Sequence, residues 1–349
     1  MLVDFQNTHT HLPQLLQYSD ILHLLFVCMA MVYLVTDVCC LVAAVLSFCI
    51  NFFIITCFLR KKIPCAENLR LALYLAIGDF AYALAALIHV GYLAINWSNT
   101  YLDYDPYVII FTNSLLPAFL KLVIVINCSM ALDRCLAIFF PVHYRNINKI
   151  KFANNAMALG FIWFLFDFLF QIFSSEYQRV PNCATMACFV NKIFLKYLSY
   201  SNTLSSFFVA IMSVLVFVGI RKFSKKRVGT FTTRKTSTVF RKANRITAGI
   251  LFGSLFFVVF PSFLVMGFEE VTGKSLFISL GPFYIFSIVV NGFADGLVFV
   301  IVNRKHIGSD KNLVDSTVGP KNTVIPVLHQ HGPTNSMALP PIVTSSNYF

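Results

Sequence analysis

Seven long apolar stretches follow one another along the chain, and short polar connections separate them. Each is apolar on every face and about 20 residues or longer, which is the length that crosses a bilayer core about 30 Å thick. A membrane β-barrel would need segments of about ten residues in which apolar and polar positions alternate. The pattern therefore predicts an all-α membrane protein, a bundle of seven transmembrane helices. The predicted spans are 33–59, 69–95, 107–133, 153–173, 193–220, 246–268 and 277–302.

The regions on either side of the predicted bundle, residues 33–302, differ from it in pattern. Residues 21–59 form one apolar stretch that is longer than a single span needs. Two interpretations stay open: residues 21–32 are a lead-in or signal-like segment before a tilted first helix, or an eighth span exists and the amino terminus is cytoplasmic. We favour the first and assign residues 1–32 to an extracellular, apolar lead-in segment. Residues 303–349 are rich in Ser, Thr, Pro, Asn and Gly, which predicts a disordered cytoplasmic tail.

Composition and charge agree with a membrane protein and predict its orientation. Hydrophobic residues make up 58% of the chain and charged residues 12%, against roughly a quarter charged in a soluble domain. The net charge of +12 does not indicate a nucleic-acid partner, because the basic residues fall in alternate connections. By the positive-inside rule the amino terminus is outside and the carboxy terminus is cytoplasmic. The basic connections include Arg60, Lys61, Lys62, Arg70, Arg134, Arg145, Lys149, Arg221, Lys222, Arg241, Lys242, Arg245, Arg304 and Lys305.

The loops that this topology places outside contain two candidate modification sites. The sequon Asn96-Trp97-Ser98 predicts glycosylation at Asn96. Most of the ten cysteines lie within predicted spans, but Cys183 and Cys188 share an outer loop, where the oxidising compartment would allow them to form a disulfide. No Ser/His pair or metal-ligand cluster is visible in the sequence. We therefore predict no enzyme activity, no cofactor and no metal site.

Four polar residues inside the predicted spans are expected to turn toward the bundle interior. An ionisable group at the bilayer centre costs roughly 2.5–3.5 kcal/mol, so each one needs a partner or a purpose. Asn51 lies in the first span, Asp79 in the second, and Asn291 and Asp295 lie one helical turn apart in the last. Hydration, a cation or mutual hydrogen bonds would satisfy this intramembrane polar network. The alternative is that it serves only to hold the helices together.

Three further polar residues lie nearer the bilayer middle or its outer half. We predict that Lys121 in the third span pairs with Asp167 at a comparable depth in the fourth. Such a pair is either structural, or Lys121 contacts an acidic or carbonyl-bearing ligand. His89, in the outer half of the second span, is either a hydrogen-bonded packing residue or a ligand contact.

The end of the third span carries the most specific motif in the chain. Residues 130–145 include Asp133-Arg134-Cys135 and, further on, Pro141. This segment resembles the Asp-Arg-Tyr segment of rhodopsin-like G protein-coupled receptors, with Cys135 in place of the tyrosine. Further matches occur in the family's order over residues 35–306. They are Asn51, the segment Leu75-Ala76-Ile77-Gly78-Asp79, Trp163, Pro261 and the segment Asp295-Gly296-Leu297-Val298-Phe299.

The resemblance implies a function for the whole bundle. A small external molecule would enter among the outer halves of the helices and would stabilise a conformation in which the sixth helix swings outward. Pro261 would be the pivot, and Asp133, Arg134 and Pro141 would couple the receptor to a heterotrimeric G protein. The implied location is the plasma membrane, with lipid around the spans, and the sensory cilium is a further candidate. A ligand-gated channel or a transporter is the alternative function.

Several positions depart from the family pattern. Ile109 replaces the cysteine of the third helix, so the family's usual disulfide to the second outer loop cannot form. Val259, Gly296 and Phe299 replace the sixth-helix aromatic, the last-helix proline and its tyrosine. Arg241 stands where many relatives carry an acidic residue that holds the arginine of the third helix, so another contact must hold the inactive state. These departures and the Phe-rich spans resemble nematode serpentine chemoreceptors of class BC type, which implies chemosensory perception such as olfaction.

Overall fold

The computed structural model describes residues 8–63, 69–98, 101–183, 185–226, 234–273, 276 and 282–307. Within these ranges every element is helical. The helices are α1 Thr8–Leu59, α2 Arg70–Ile95, α3 Pro106–Phe139, α4 Pro141–Asn146, α5 Lys149–Ser174, α6 Lys192–Lys226, α7 Arg234–Ser254, α8 Phe260–Thr272 and α9 Phe283–Ile307. A π-helical turn, Leu255–Val259, joins α7 to α8, and a 3₁₀ turn, Met186–Cys188, precedes α6.

Seven of these helical segments are long and apolar enough to cross a membrane, which confirms the predicted seven-helix fold class. They are Met31–Leu59, Arg70–Ile95, Pro106–Phe139, Lys149–Ser174, Lys192–Lys222, Ala243–Thr272 and Phe283–Arg304. The sixth span therefore consists of the end of α7, the π-helical turn and α8. We call the end of the bundle that carries Arg60, Arg134 and Arg221 the basic end, and the opposite end, which carries Asn96, the Asn96 end.

The two terminal regions extend the bundle differently. Helix α1 runs for 52 residues without a break, about 78 Å at 1.5 Å per residue, so it is much longer than a bilayer core. Residues 8–30 continue the same helix that forms the first span, and their assignment as an extracellular lead-in stays a prediction. Helix α9 ends at Ile307, and the predicted disordered tail lies outside the described residues beyond that point.

Local sequence signals explain several helix ends. The Asp105 carboxylate accepts a hydrogen bond from the Tyr107 amide at 2.8 Å, and Pro106 occupies the first position of α3, where no amide donor is needed. The Asn148 side chain caps α5 by accepting from the Lys151 amide at 3.0 Å. Helix α8 ends at Thr272 and is capped by Gly273, which has a φ of 65° and adopts the left-handed conformation that a glycine tolerates best.

Helix α3 forms the centre of the bundle. It packs against α2, α5, α6 and α7, and most of its residues are buried. Helix α5 lies at the periphery: it exposes Phe161, Ile162, Phe166 and Phe173, which would face lipid tails in a membrane. The rich phenylalanine content thus covers the outside of the bundle as well as the contacts between helices.

The contact between α7 and α9 depends on a glycine. A Cβ atom added at Gly249 would lie 2.6 Å from Val298 Cγ1 and 3.2 Å from its Cγ2. Because a β-branched valine in a helix has one strongly preferred rotamer, it cannot turn both methyl groups away. Gly249→Ala should therefore overpack this contact and lower the free energy of unfolding by about 1–3 kcal/mol.

Thermal unfolding of the purified, detergent-solubilised chain would test this prediction. The matched control is Gly267→Ala in α8, where an added Cβ atom would meet nothing within 4 Å. This control should be neutral or slightly stabilising, because alanine favours a helix by roughly 0.5–1 kcal/mol over glycine. Equal melting temperatures for the two variants would show that α7 and α9 are less closely packed than the structure indicates.

Candidate functional site

A cavity lies among α2, α3, α6 and α9 toward the Asn96 end, and it contains about 580 Å³ of empty space, including its open mouth. Small-molecule sites typically have apolar walls with a few polar groups. Among the described residues, no Asp, Glu, Lys or Arg side chain lines the cavity. Its lining consists of Tyr82, His89, Leu93, Asn113, Leu116, Pro117, Leu120, Thr185, Met186, Leu198, Asn202, Pro282, Tyr284, Ile285 and Ile288.

The lining of the cavity includes two polar side chains from neighbouring helices. His89 of α2 is 1% exposed, and its Nδ1 lies 2.9 Å from Thr112 Oγ1 of α3. Asn113, the next residue along α3, is also 1% exposed and donates from Nδ2 to Met186 Sδ at 3.1 Å. The structure therefore places His89, a predicted ligand contact or packing residue, in the cavity wall, and it adds Asn113, which the sequence analysis missed.

Lys121 lies beneath the cavity and donates hydrogen bonds to α6. Its Nζ donates to Ser201 Oγ at 2.8 Å and to Asn202 Oδ1, and it lies 5.4 Å from the centre of the Trp163 ring. Asp167 instead accepts from the Tyr197 hydroxyl at 2.6 Å. The two charged groups also interact electrostatically, so the Lys121–Asp167 pair stays a prediction, while polar side chains of α6 form the hydrogen bonds to both groups.

Hydrogen bonds connect Tyr284, which lines the cavity, to Ser262 of the sixth span. The Ser262 hydroxyl donates to the Val258 carbonyl at 2.7 Å, so its oxygen must accept from the Tyr284 hydroxyl, which lies 3.0 Å away. Ser206 of α6 also donates to Ser262, at 3.1 Å. Tyr284 and Asn202 both line the cavity. A molecule in the cavity would therefore contact Tyr284, whose hydroxyl is bonded directly to α8.

Pro261 lies beside this contact, two residues after the π-helical turn ends at Val259. Proline has no amide hydrogen, so it cannot donate to the carbonyl of Phe257 in the usual helical pattern. The Ser287 hydroxyl of α9 donates to that carbonyl at 2.7 Å. Pro261, the predicted pivot, thus lies where the backbone bonding of the sixth span is interrupted and a side chain from the seventh span compensates.

The predicted intramembrane network of Asn51, Asp79, Asn291 and Asp295 is buried between α1, α2 and α9. Asn51 Nδ2 donates to the Ser47 and Gly292 carbonyls at 3.0 and 3.1 Å, and Asn291 Nδ2 donates to Asp295 Oδ2 at 2.9 Å. Three oxygens of the network have no hydrogen-bond partner among the described residues; they are Asp79 Oδ2, Asn291 Oδ1 and Asp295 Oδ1. The two predicted roles, holding helices together and binding water or a cation, both stay predictions.

Arg134 is nearly fully buried at the basic end. It donates to the adjacent Asp133, to the Tyr144 hydroxyl at 3.3 Å and to Asn244 Oδ1 of α7 at 3.5 Å. Burial raises the pKa of Tyr144 to about 12, so this hydroxyl is neutral at physiological pH. Pro141 begins α4, the exposed helix that carries Tyr144. Asn244 is thus an uncharged residue of the sixth span that contacts the arginine, and that a contact other than Arg241 holds the inactive state stays a prediction.

The Asn96 end carries both candidate modification sites. Asn96 ends α2, and its side-chain amide donates to the Tyr92 carbonyl at 2.9 Å while the residue stays exposed. Cys183 and Cys188 are joined by a disulfide. The loop before it is anchored to the connection between α2 and α3, because the Asn182 amide donates to the Leu102 carbonyl at 2.8 Å.

The structure also contains a buried carboxylate that the sequence analysis passed over. Asp37 in α1 is 3% exposed, and its Oδ1 has no hydrogen-bond partner in the described part of the chain. An ionisable residue within a candidate span was the available signal. Asn202 and Tyr284 were missed for a different reason, since neutral polar residues are common in membrane helices and carry no such signal.

Comparison with known proteins agrees with this arrangement of spans. The family model described as serpentine type 7TM GPCR chemoreceptor Srbc matches residues 29–304, which cover all seven spans. No curated protein matches the chain.

Proposed function

Because this chain belongs to the Srbc family of serpentine seven-transmembrane chemoreceptors, we propose that it binds a small external molecule and activates a heterotrimeric G protein. The observation that carries the proposal is the cavity at the Asn96 end, because Tyr284 in its lining is hydrogen-bonded to Ser262 of the sixth span. The receptor is a multi-pass membrane protein, and we place it in the plasma membrane, with the sensory cilium as its site of action.

The proposed orientation has the Asn96 end outside the cell. The basic connections at the other end support it, since Lys and Arg are retained on the cytoplasmic side. The exposed Asn96 sequon and the Cys183–Cys188 disulfide would then both lie in the compartment where glycosylation and disulfide formation occur. In this orientation the cavity opens to external molecules and Arg134 faces the cytoplasm.

The ligand would act by stabilising one of two conformations. An external molecule that contacts Tyr284 or Asn202 would rearrange the hydrogen bonds to Ser262, and the sixth span would swing about Pro261 at its basic end. Arg134 would then separate from Asn244 and become accessible to the G protein. Inverting a 1:99 population of the two states requires a ligand that binds the active state with about 5.5 kcal/mol greater affinity.

The G protein partner is proposed to enter a second cavity at the basic end. This cavity lies between α2, α3 and α7, and Met130, Asp133, Arg134, Ala243 and Thr247 are among its lining residues. Outward movement of α7 would widen it beside Arg134. The proposed coupling residues are therefore Asp133 and Arg134, with Pro141 placing the exposed α4 next to them.

The test measures cyclic-nucleotide and calcium signals in cells that express the wild-type chain or Arg134→Ala at matched surface levels. The cells are challenged with a panel of volatile alcohols, ketones, amines and acids. We expect a ligand-dependent response that Arg134→Ala abolishes. The matched control is Arg145→Ala, which removes an exposed arginine from the same end and should preserve the response.

Two other outcomes would identify a different function. A ligand-dependent current that persists in Arg134→Ala and in cells without heterotrimeric G proteins would identify a ligand-gated channel, and ligand-dependent uptake would identify a transporter. Either result would contradict the proposed function.

A further inference from the structure

We propose that the cavity at the Asn96 end binds an alcohol, a neutral and largely apolar molecule whose hydroxyl group contacts His89 and Asn113. The inference rests on the proposed function for the ligand's biological role, because it names the chemical class that the receptor would detect. The binding itself is a property of the cavity and is measured without a G protein.

The lining of the cavity disfavours charged molecules. Leu93, Leu116, Leu120, Ile285 and Ile288 supply apolar walls. A buried ion needs a charged or strongly polar partner to offset its desolvation. Lys121 does not serve as one, because it is fully buried beneath the cavity and its ammonium already donates to Ser201 and Asn202. Carboxylates and ammonium ions therefore find no counterion among the described residues that line the cavity.

The hydrogen bonds of Thr112 determine which nitrogen of His89 carries a proton. Thr112 Oγ1 donates to the Val108 carbonyl at 2.7 Å, so its single proton points to the backbone. The same oxygen lies 2.9 Å from His89 Nδ1 and must accept a hydrogen there. No carboxylate of the described residues contacts the ring, so the imidazole is neutral with its proton on Nδ1.

His89 consequently offers an acceptor to the cavity. In a neutral imidazole protonated at Nδ1, Nε2 carries a lone pair and accepts a hydrogen bond. Nε2 makes no hydrogen bond within the described part of the chain. A ligand that donates a hydrogen to this nitrogen would satisfy a buried acceptor that the protein leaves open.

Asn113 offers a hydrogen-bond donor to the same cavity. Its Nδ2 donates to the Met186 thioether at 3.1 Å, and a thioether sulfur is a weak acceptor. An oxygen atom of a ligand would be a stronger acceptor than this sulfur. Thr112, which contacts His89, immediately precedes Asn113 on α3, and His89 and Asn113 both line the cavity. We place the polar group of the ligand between these two side chains. A hydroxyl group donates and accepts at once, whereas a ketone could use Asn113 only and an alkane could use neither.

The binding experiment uses the full-length chain in lipid nanodiscs. The probes are straight-chain primary alcohols of four to ten carbons, with the methyl ketone and the carboxylate of the same length. Affinity is obtained from the ligand-dependent rise in melting temperature. We expect at least one alcohol to bind, its matched ketone to bind about tenfold more weakly for the loss of one hydrogen bond, and the carboxylate not to bind.

Two variants test the assigned contacts. Asn113→Leu should lower the affinity for the alcohol and for the ketone alike, by about tenfold. His89→Asn keeps a donor near Thr112 but removes the acceptor at Nε2, so it should weaken the alcohol about tenfold and leave the ketone unchanged. If His89→Asn does not fold, His89→Gln, which keeps an amide near the Nε2 position, serves as the second variant and should retain alcohol binding.

Three results would overturn the assignment: carboxylate binding that exceeds alcohol binding, an unchanged alcohol-to-ketone ratio in His89→Asn, or the absence of binding by every alcohol in the series. None of these depends on signalling. A chain that binds alcohols in nanodiscs yet activates no G protein would contradict the proposed function and leave the ligand class intact.

Discussion

Replacing Asn244 with glutamate is expected to lower ligand-independent signalling about tenfold. Arg134 Nη1 donates to Asn244 Oδ1 at 3.5 Å, the long end of the range for a hydrogen bond, so the present contact is weak. A glutamate is one methylene longer and carries a charge, and hydrogen bonds to charged groups contribute about 1.5–3 kcal/mol against about 0.5–1.5 kcal/mol for neutral ones. A gain near 1.4 kcal/mol in the inactive conformation shifts the population about tenfold.

The measurement is basal cyclic-nucleotide or calcium signalling without ligand, at matched surface expression. Asn146→Glu is the control, since it adds the same charge to an exposed position of α4 at the same end of the bundle. Asn244→Ala should act in the opposite direction and raise the basal signal. If Asn244→Glu and Asn146→Glu give the same basal signal, Asn244 is not the residue that restrains Arg134.

Replacing Lys121 with leucine is expected to destabilise the folded chain by about 3–5 kcal/mol, the usual cost of leaving a buried charge uncompensated. Ser201 and Asn202 would lose their shared donor. Asp167, whose Oδ2 has no hydrogen-bond partner among the described residues, would lose the cation nearest to it. Helices α3, α5 and α6 meet at this cluster, so the loss would loosen the middle of the bundle.

A double-variant cycle separates the contribution of Asp167. Lys121→Leu combined with Asp167→Asn removes both charges and keeps an oxygen that can accept from Tyr197, so it should recover part of the lost stability. The exposed Lys196→Leu serves as the surface control and should change the free energy of unfolding by less than about 0.5 kcal/mol. If Lys121→Leu and the double variant lose the same free energy of unfolding, Asp167 does not interact with Lys121.

The polar cluster around Lys121, below the cavity, was predicted from the sequence only in part. Lys121 and Asp167 were recognised as costly residues at similar depth, and the structure does place them in one cluster between α3, α5 and α6. Their partners could not be predicted, because Tyr197, Ser201 and Asn202 lie at least 30 residues away along the chain, on a helix whose rotation the pattern leaves open. A shift of one residue along a helix rotates a side chain by about 100°, so partner choice depends on packing.

The partner of Arg134 on the sixth span could not be predicted from the sequence either. The sequence indicated that Arg241 could not restrain this arginine and that another contact was needed. Asn244, nearly one helical turn later on α7, was not identifiable in advance, because an asparagine in a membrane helix is not unusual. Its contact with Arg134 follows only from the approach of α7 to α3 at the basic end.

What the sequence determined by itself is the number of spans, their approximate limits and the family resemblance of their motifs. Bilayer thickness and the rise of a helix set the length of an apolar stretch, so these features can be read from local composition alone. The tertiary structure decided which polar atoms meet: Lys121 with Asn202, Arg134 with Asn244, and His89 with Thr112. These contacts depend on the rotation and tilt of each helix, which arise from side-chain packing between segments distant in sequence.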